Sequence, residues 1–293
     1  MSPVFQTLIT VSELQGLLAQ AEGNGSMPPL LIDVSFDLAN PAAGEHAYRT
    51  GHLPGAHYLH LDRDLSGAKS GSNGRHPLPE RQVFAQKMAD LGLSAGRQVV
   101  VYDAQGSMYA ARLWWMLHWV GHSAVAVLDG GLSAWLSAPH ADKTSGSSDV
   151  IPAPSPATFQ VSESLVSSID ADRLQAQLGT IRLIDARAPE RFRGEVEPLD
   201  AKAGHIPGAS NRLFKNNLTA DGLHFKPAAQ LREEFLSLLG AYPADQVVHQ
   251  CGSGVTACHN LLAMSHAGLP GAKLYPGSWS EWSSNPLRPI ATA

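Results

Sequence analysis

Residues 247–260 read VVHQCGSGVTACHN. A β-branched run leads into Cys251, and Gly252 and Gly254 flank Ser253. Apolar residues then recur at helical spacing, at Val255, Cys258, Leu261, Leu262 and Met264, and Gly268 with Pro270 closes the pattern. The expected order is strand, cysteine, glycine-rich turn, and a helix from about Val255 to Ala267. Unsatisfied amides and the dipole at a helix N-terminus favour a thiolate. Glycines let the loop amides turn inward as a nest for an anion. The arrangement supplies a nucleophile and a cradle for the charge it carries or receives.

Most free cysteines are small buried hydrophobes. A strand end in a core does not need an unobstructed loop, so Cys251 is read as catalytic. Cys258 falls on the apolar face of the helix and is read as packing. A metal site from Cys251, Cys258 and His259 would lack close paired spacing and a fourth ligand, so no metal is expected. No organic cofactor is implied either.

The elements that must position the cysteine come in duplicate. LLIDVS at 30–35 resembles RLIDAR at 182–187, and GHLPGA at 51–56 matches GHIPGA at 204–209. QVVVYD at 98–103 resembles QVVHQC at 246–251, and LDGGLSAW at 128–135 resembles YPGSWSEW at 275–282. Four blocks in one order at a near-constant shift imply two homologous halves. Residues 140–160 are rich in Ser, Pro, Gly and Ala and read as a linker between domains at 1–139 and 161–293. In each half, short β-branched runs alternate with helical patterns, which implies an α/β fold with a parallel sheet flanked by helices. In such sheets chemistry gathers at the carboxyl ends of strands.

The 293 residues, 44% hydrophobic, are enough for buried cores. A net charge of −5 without a basic cluster argues against nucleic acid or an anionic membrane as partner. No apolar run approaches the roughly 20 residues of a membrane span. The N-terminal stretch has no basic n-region and reads as a first helix, not a signal peptide. Two cysteines are too few for a disulfide framework, and a reducing, cytoplasmic location is the simplest fit.

The tandem halves, the Gly-His-Ile-Pro-Gly-Ala block and Cys-Gly-Ser-Gly-Val-Thr-Ala together resemble the rhodanese superfamily of two-domain sulfurtransferases. The cysteine loop is similar to that of its mercaptopyruvate-using branch. The resemblance implies that Cys251 takes a sulfane sulfur from a small-molecule donor as a persulfide, which the amides of Gly252, Ser253, Gly254, Val255 and Thr256 hold. The sulfur then passes to cyanide or to a thiol, such as that of a thioredoxin-like protein. The first half has Asp103 at the cysteine position and is expected to be catalytically dead. Arg191, in ERFRG, matches the family's substrate-binding arginine, and a guanidinium can grip a carboxylate bidentately. Ser253, His76 and Asp62 match a proposed Ser–His–Asp group that would manage the proton. His76 itself follows a polar loop, SGAKSGSNGR, where an exposed histidine needs no special reason.

The loop after Cys251 is neutral, whereas thiosulfate-using relatives usually carry basic side chains there, so mercaptopyruvate is the expected donor. One departure bears on this. Mercaptopyruvate members usually have a second substrate arginine shortly before Gly-His-Ile-Pro-Gly. Here the stretch is EVEPLDAKAG, with Lys202 its only cation and Leu199 or Asp200 in the approximate place. Thiosulfate therefore stays an alternative donor. A cysteine-loop phosphatase would need an arginine six residues after the cysteine, where Ala257 stands. A non-enzymatic sulfur-relay module would tolerate loss of the cysteine, as the first half has done. Asp185 and Arg187 are read as loop supports, and Trp114, Trp115 and Trp135 as core aromatics.

Overall fold

The computed structural model describes residues 3–139 and 157–292. The expected linker lies outside the described residues as far as position 156; residues 157–160 have no regular secondary structure. The chain divides into two compact units. One takes in Met1–Leu65, Pro79–Leu165 and Asp221–Phe225; the other takes in Ser66–Leu78, Val166–Ala220 and Lys226–Ala293. The division is thus not a single cut. Thirteen residues, 66–78, group with the second unit although their neighbours in sequence belong to the first.

The first unit holds β1 (Leu8–Ile9), β2 (Leu30–Asp33), β3 (His57–Tyr58), β4 (Val99–Tyr102) and β5 (Val125–Leu128), ordered β1-β5-β4-β2-β3. The second holds β6 (Ser167–Ser168), β7 (Arg182–Asp185), β8 (Ser210–Asn211), β9 (Val247–Gln250) and β10 (Lys273–Leu274), ordered β6-β10-β9-β7-β8. Every pairing is parallel, and each sheet repeats the other's order strand for strand. This is the α/β architecture expected from the duplicated blocks. The central strands β2, β4, β5 and β9 are buried along their whole length, and β4 and β5 accordingly read as continuous apolar runs instead of alternating ones.

Local signals set the element ends. Thr10 and Glu13 form a reciprocal capping box on the helix Val11–Asn24, and Gly25, at φ 66°, stops it. In each Gly-His-X-Pro-Gly-Ala block the histidine is a structural group. His52 bonds the Tyr48 carbonyl through Nδ1 at 2.7 Å and stacks on that ring; His205 does the same with Phe192, at 2.8 Å. Trp114, Trp115 and Trp135 are buried as expected. The second core centres on Tyr275, Trp279 and Trp282. Among the described residues no helix is long and apolar enough to cross a membrane.

Candidate active site

Cys251 lies directly after β9, at the carboxyl end of its sheet, and is 1% exposed. The helix that follows spans Thr256–His266, within a residue of the expected limits at each end. The loop is braced from behind by the segment after β10. The Trp279 and Ser280 amides donate to the Cys251 and Gly252 carbonyls, each at 2.9 Å. The Cys251 amide donates to Ser278 Oγ at 3.1 Å, and that hydroxyl is 4.0 Å from Cys251 Sγ. Ser278 is fully buried and holds φ 54°, a left-handed conformation uncommon outside glycine. The aligned position in the first half is Gly131, at φ 56°.

The two loop glycines are needed for different reasons. Gly254 has φ 76°, and a β-carbon there would lie 2.3 Å from the Pro276 carbonyl oxygen, which is backbone and cannot yield. At Gly252 the constraint comes from side chains. A β-carbon there would lie 2.8 Å from Arg75 Nη2 and 3.5 Å from Arg191 Nη1. Two guanidinium ends therefore approach the loop one residue from the cysteine.

The first unit shows what this type of loop does with a negative charge. Asp103, at the cysteine position, is buried, and its carboxylate accepts four backbone N–H bonds. Gln105 and Ser107 donate to Oδ1, and Tyr109 and Ala110 to Oδ2, at 2.8–2.9 Å. Burial, the larger influence, raises the Asp103 pKa, and the four amides pull it back. This loop is a nest already filled by its own anion.

The second unit has further polar groups in place. His76 Nδ1 is 2.7 Å from Ser253 Oγ, and both residues are buried. Arg191 is held by Glu197, with Nε at 3.2 Å from Oε2 and Nη2 at 2.6 Å from Oε1. Arg75 pairs through Nη1 with Asp200 Oδ1. Behind them Arg187 is fastened to Asp185 at the end of β7, with Nη2 2.7 Å from Oδ2.

A profile of the rhodanese-like domain matches residues 10–138 and again 170–285. The chain belongs to the rhodanese family. This rhodanese is 47% identical over 289 residues to a Pseudomonas aeruginosa protein that carries the provisional name 3-mercaptopyruvate sulfurtransferase, covering 97% of this chain and 98% of the relative. It is 40% identical over 290 residues to a Mycobacterium tuberculosis protein provisionally named thiosulfate sulfurtransferase SseB, covering 97% and 96%. A solved structure of 3-mercaptopyruvate sulfurtransferase from Leishmania major superimposes with a TM-score of 0.81 at 30% identity, over 95% of this chain and 74% of that one.

Within this rhodanese, Cys251, Ser253, His76, Arg191 and the loop residues Gly252, Gly254, Val255 and Thr256 all belong to the second unit. Asp62 belongs to the first. It lies in the helix Leu61–Asp64, where its amide donates to His60 Nδ1 at 3.1 Å. Cys258 is buried, as its place on the helix implied, and its thiol donates to the Gly254 carbonyl at 3.4 Å. The polar stretch before His76 does not leave that histidine exposed; it is 4% accessible. Sequence reasoning missed Arg75 and Ser278. Arg75 is next to His76, so a search for cations beside each matched site residue finds it. Ser278 had a signal in the repeat, since a serine stands where the first half has the second glycine of LDGG.

Proposed function

We propose that this rhodanese moves a sulfane sulfur from 3-mercaptopyruvate, through a Cys251 persulfide, to cyanide or a thiol. The observation that carries the reading is the pair of guanidinium ends of Arg75 and Arg191 beside Gly252, next to a loop whose own side chains are uncharged. Planar guanidinium groups suit a carboxylate held bidentately. They also answer the lack of an arginine in EVEPLDAKAG, because Arg75 brings the second cation from elsewhere in the chain. The names of the Pseudomonas relative and the Leishmania structure agree with this donor.

In this reaction the Cys251 thiolate attacks the donor sulfur. A sulfur–sulfur bond forms and the donor's carbon–sulfur bond breaks, leaving its electron pair on carbon as the enolate of pyruvate. The donor's thiol proton ends on that carbon, so the products are pyruvate and an anionic persulfide on Cys251. Ser253 and His76 form the relay that carries the proton. The amides of residues 252–256 hold the persulfide charge, as those of the Asp103 loop hold a carboxylate. Cyanide or a thiolate then attacks the outer sulfur and returns the Cys251 thiolate. A thioredoxin-like dithiol is the proposed protein acceptor, and a reducing cytoplasm suits two free thiols.

A thiosulfate donor is the second reading, favoured by the name of the mycobacterial relative. The deciding experiment is steady-state sulfur transfer to cyanide from each donor, for the wild type and Cys251→Ser. A clearly higher kcat/KM for mercaptopyruvate, with a silent variant, is the expected result. A preference for thiosulfate would displace the donor assignment, and activity in the variant would displace Cys251.

A further inference from the structure

Asp200 lies in EVEPLDAKAG, the stretch that has no arginine. Its carboxylate spans the two arginines beside the cysteine loop: Oδ1 accepts from Arg75 Nη1, and Oδ2 lies 3.4 Å from Arg191 Nη2. The side chain is 6% exposed. Its placement is built in. The Leu199 and Asp200 amides donate to Glu197 Oε1 at 3.1 and 3.2 Å, so the Glu197 carboxylate shapes the turn that presents Asp200. Glu197 also grips Arg191 and lies 3.4 Å from Arg187, which is fastened to Asp185 at the strand end. Three arginines and three carboxylates thus form one chain of contacts leading to Gly252, and their formal charges sum to zero.

That balance bears on which anion the loop accepts. Mercaptopyruvate presents one negative charge at its carboxylate, and thiosulfate carries two. Coulomb energy is proportional to ligand charge, so any fixed negative charge at the site opposes a dianion twice as strongly as a monoanion. We propose that Asp200 is a specificity-determining residue: it spaces Arg75 and Arg191 for a carboxylate and cancels one positive charge, which discriminates against dianionic donors. The proposal rests on the donor assignment above and adds a residue to it. It also accounts for a clamp with two arginines in a protein whose expected donor is a monoanion.

The test is kcat/KM for mercaptopyruvate and for thiosulfate in the wild type, Asp200→Asn and Asp200→Glu, at low and high ionic strength. In Asp200→Asn the preference should move toward thiosulfate by about tenfold at low salt, chiefly through its KM, and the gain should shrink as salt screens it. The fold-gain for thiosulfate should be about the square of that for mercaptopyruvate. Asp200→Glu keeps the charge and should keep the wild-type preference. An unchanged preference in Asp200→Asn, a move toward mercaptopyruvate, or equal behaviour of the Asn and Glu variants would each overturn the charge role. If the wild type already prefers thiosulfate, the donor assignment falls by itself, and the change caused by Asp200→Asn still decides whether Asp200 opposes dianions.

Discussion

His76 Nδ1 and Ser253 Oγ stand 2.7 Å apart, although 177 residues separate them in sequence. The contact depends on residues 66–78 joining the second unit, which carries the cysteine loop. Neither side chain is exposed, so the pair is shielded from bulk water and its geometry is held by packing.

If the two act as one relay, Ser253→Ala and His76→Asn should each lower kcat for mercaptopyruvate by about 10²-fold. The double variant should be little worse than either single one, because groups that work as a unit are not additive. Pyruvate release at saturating donor measures this. Losses that multiply in the double variant would show that the two residues act separately.

His249 gives a prediction about acid. It precedes the cysteine by two residues on β9, is fully buried, and has Nε2 3.0 Å from Met264 Sδ and no hydrogen-bond partner at Nδ1 among the described residues. Burial, with Arg212 adding to it, pushes its pKa down from 6.5 to about 3. The folded protein therefore holds the neutral ring while the unfolded chain takes up a proton. Stability is fully present above about pH 6.5 and falls as the pH drops from there toward about 3. The first half has Val101 at the aligned position. His249→Val should remove this dependence. Between pH 7.5 and 4.5 the wild type should lose about 2–3 kcal/mol more than the variant, at 1.36 kcal/mol per pKa unit. Urea unfolding at the two pH values tests it, and equal losses would contradict the assignment.

Asp103 gives a prediction about the unit that lacks the cysteine. Its carboxylate satisfies four backbone amides, three of them in buried bonds, so Asp103→Ala leaves those donors without this acceptor. A destabilisation of about 3–5 kcal/mol is expected, as for breaking a buried charged interaction. The unfolding midpoint should fall accordingly, and formate added to the variant should recover part of the loss by refilling the nest. A midpoint within error of the wild type would show that the amides find other partners.

The duplicated α/β fold and the order strand, cysteine, glycine-rich loop and helix are legible in the sequence alone. The first rests on blocks that recur along the chain in one order; the second is local, because the β-branched run, the loop glycines and the helical spacing all lie within a few residues of Cys251. The requirement for glycine at 254 was legible in part, as an open loop, but its cause, a backbone oxygen of Pro276, was not. What surrounds the cysteine was decided by tertiary structure. Arg75 looked like one more polar residue in a loop, and Asp200 like a gap where an arginine should be. Only folding brings the two into contact, 125 residues apart, and with them Arg191 and Gly252. Charge pairing depends on distance in space, and periodicity along a chain carries no record of which segments close that distance.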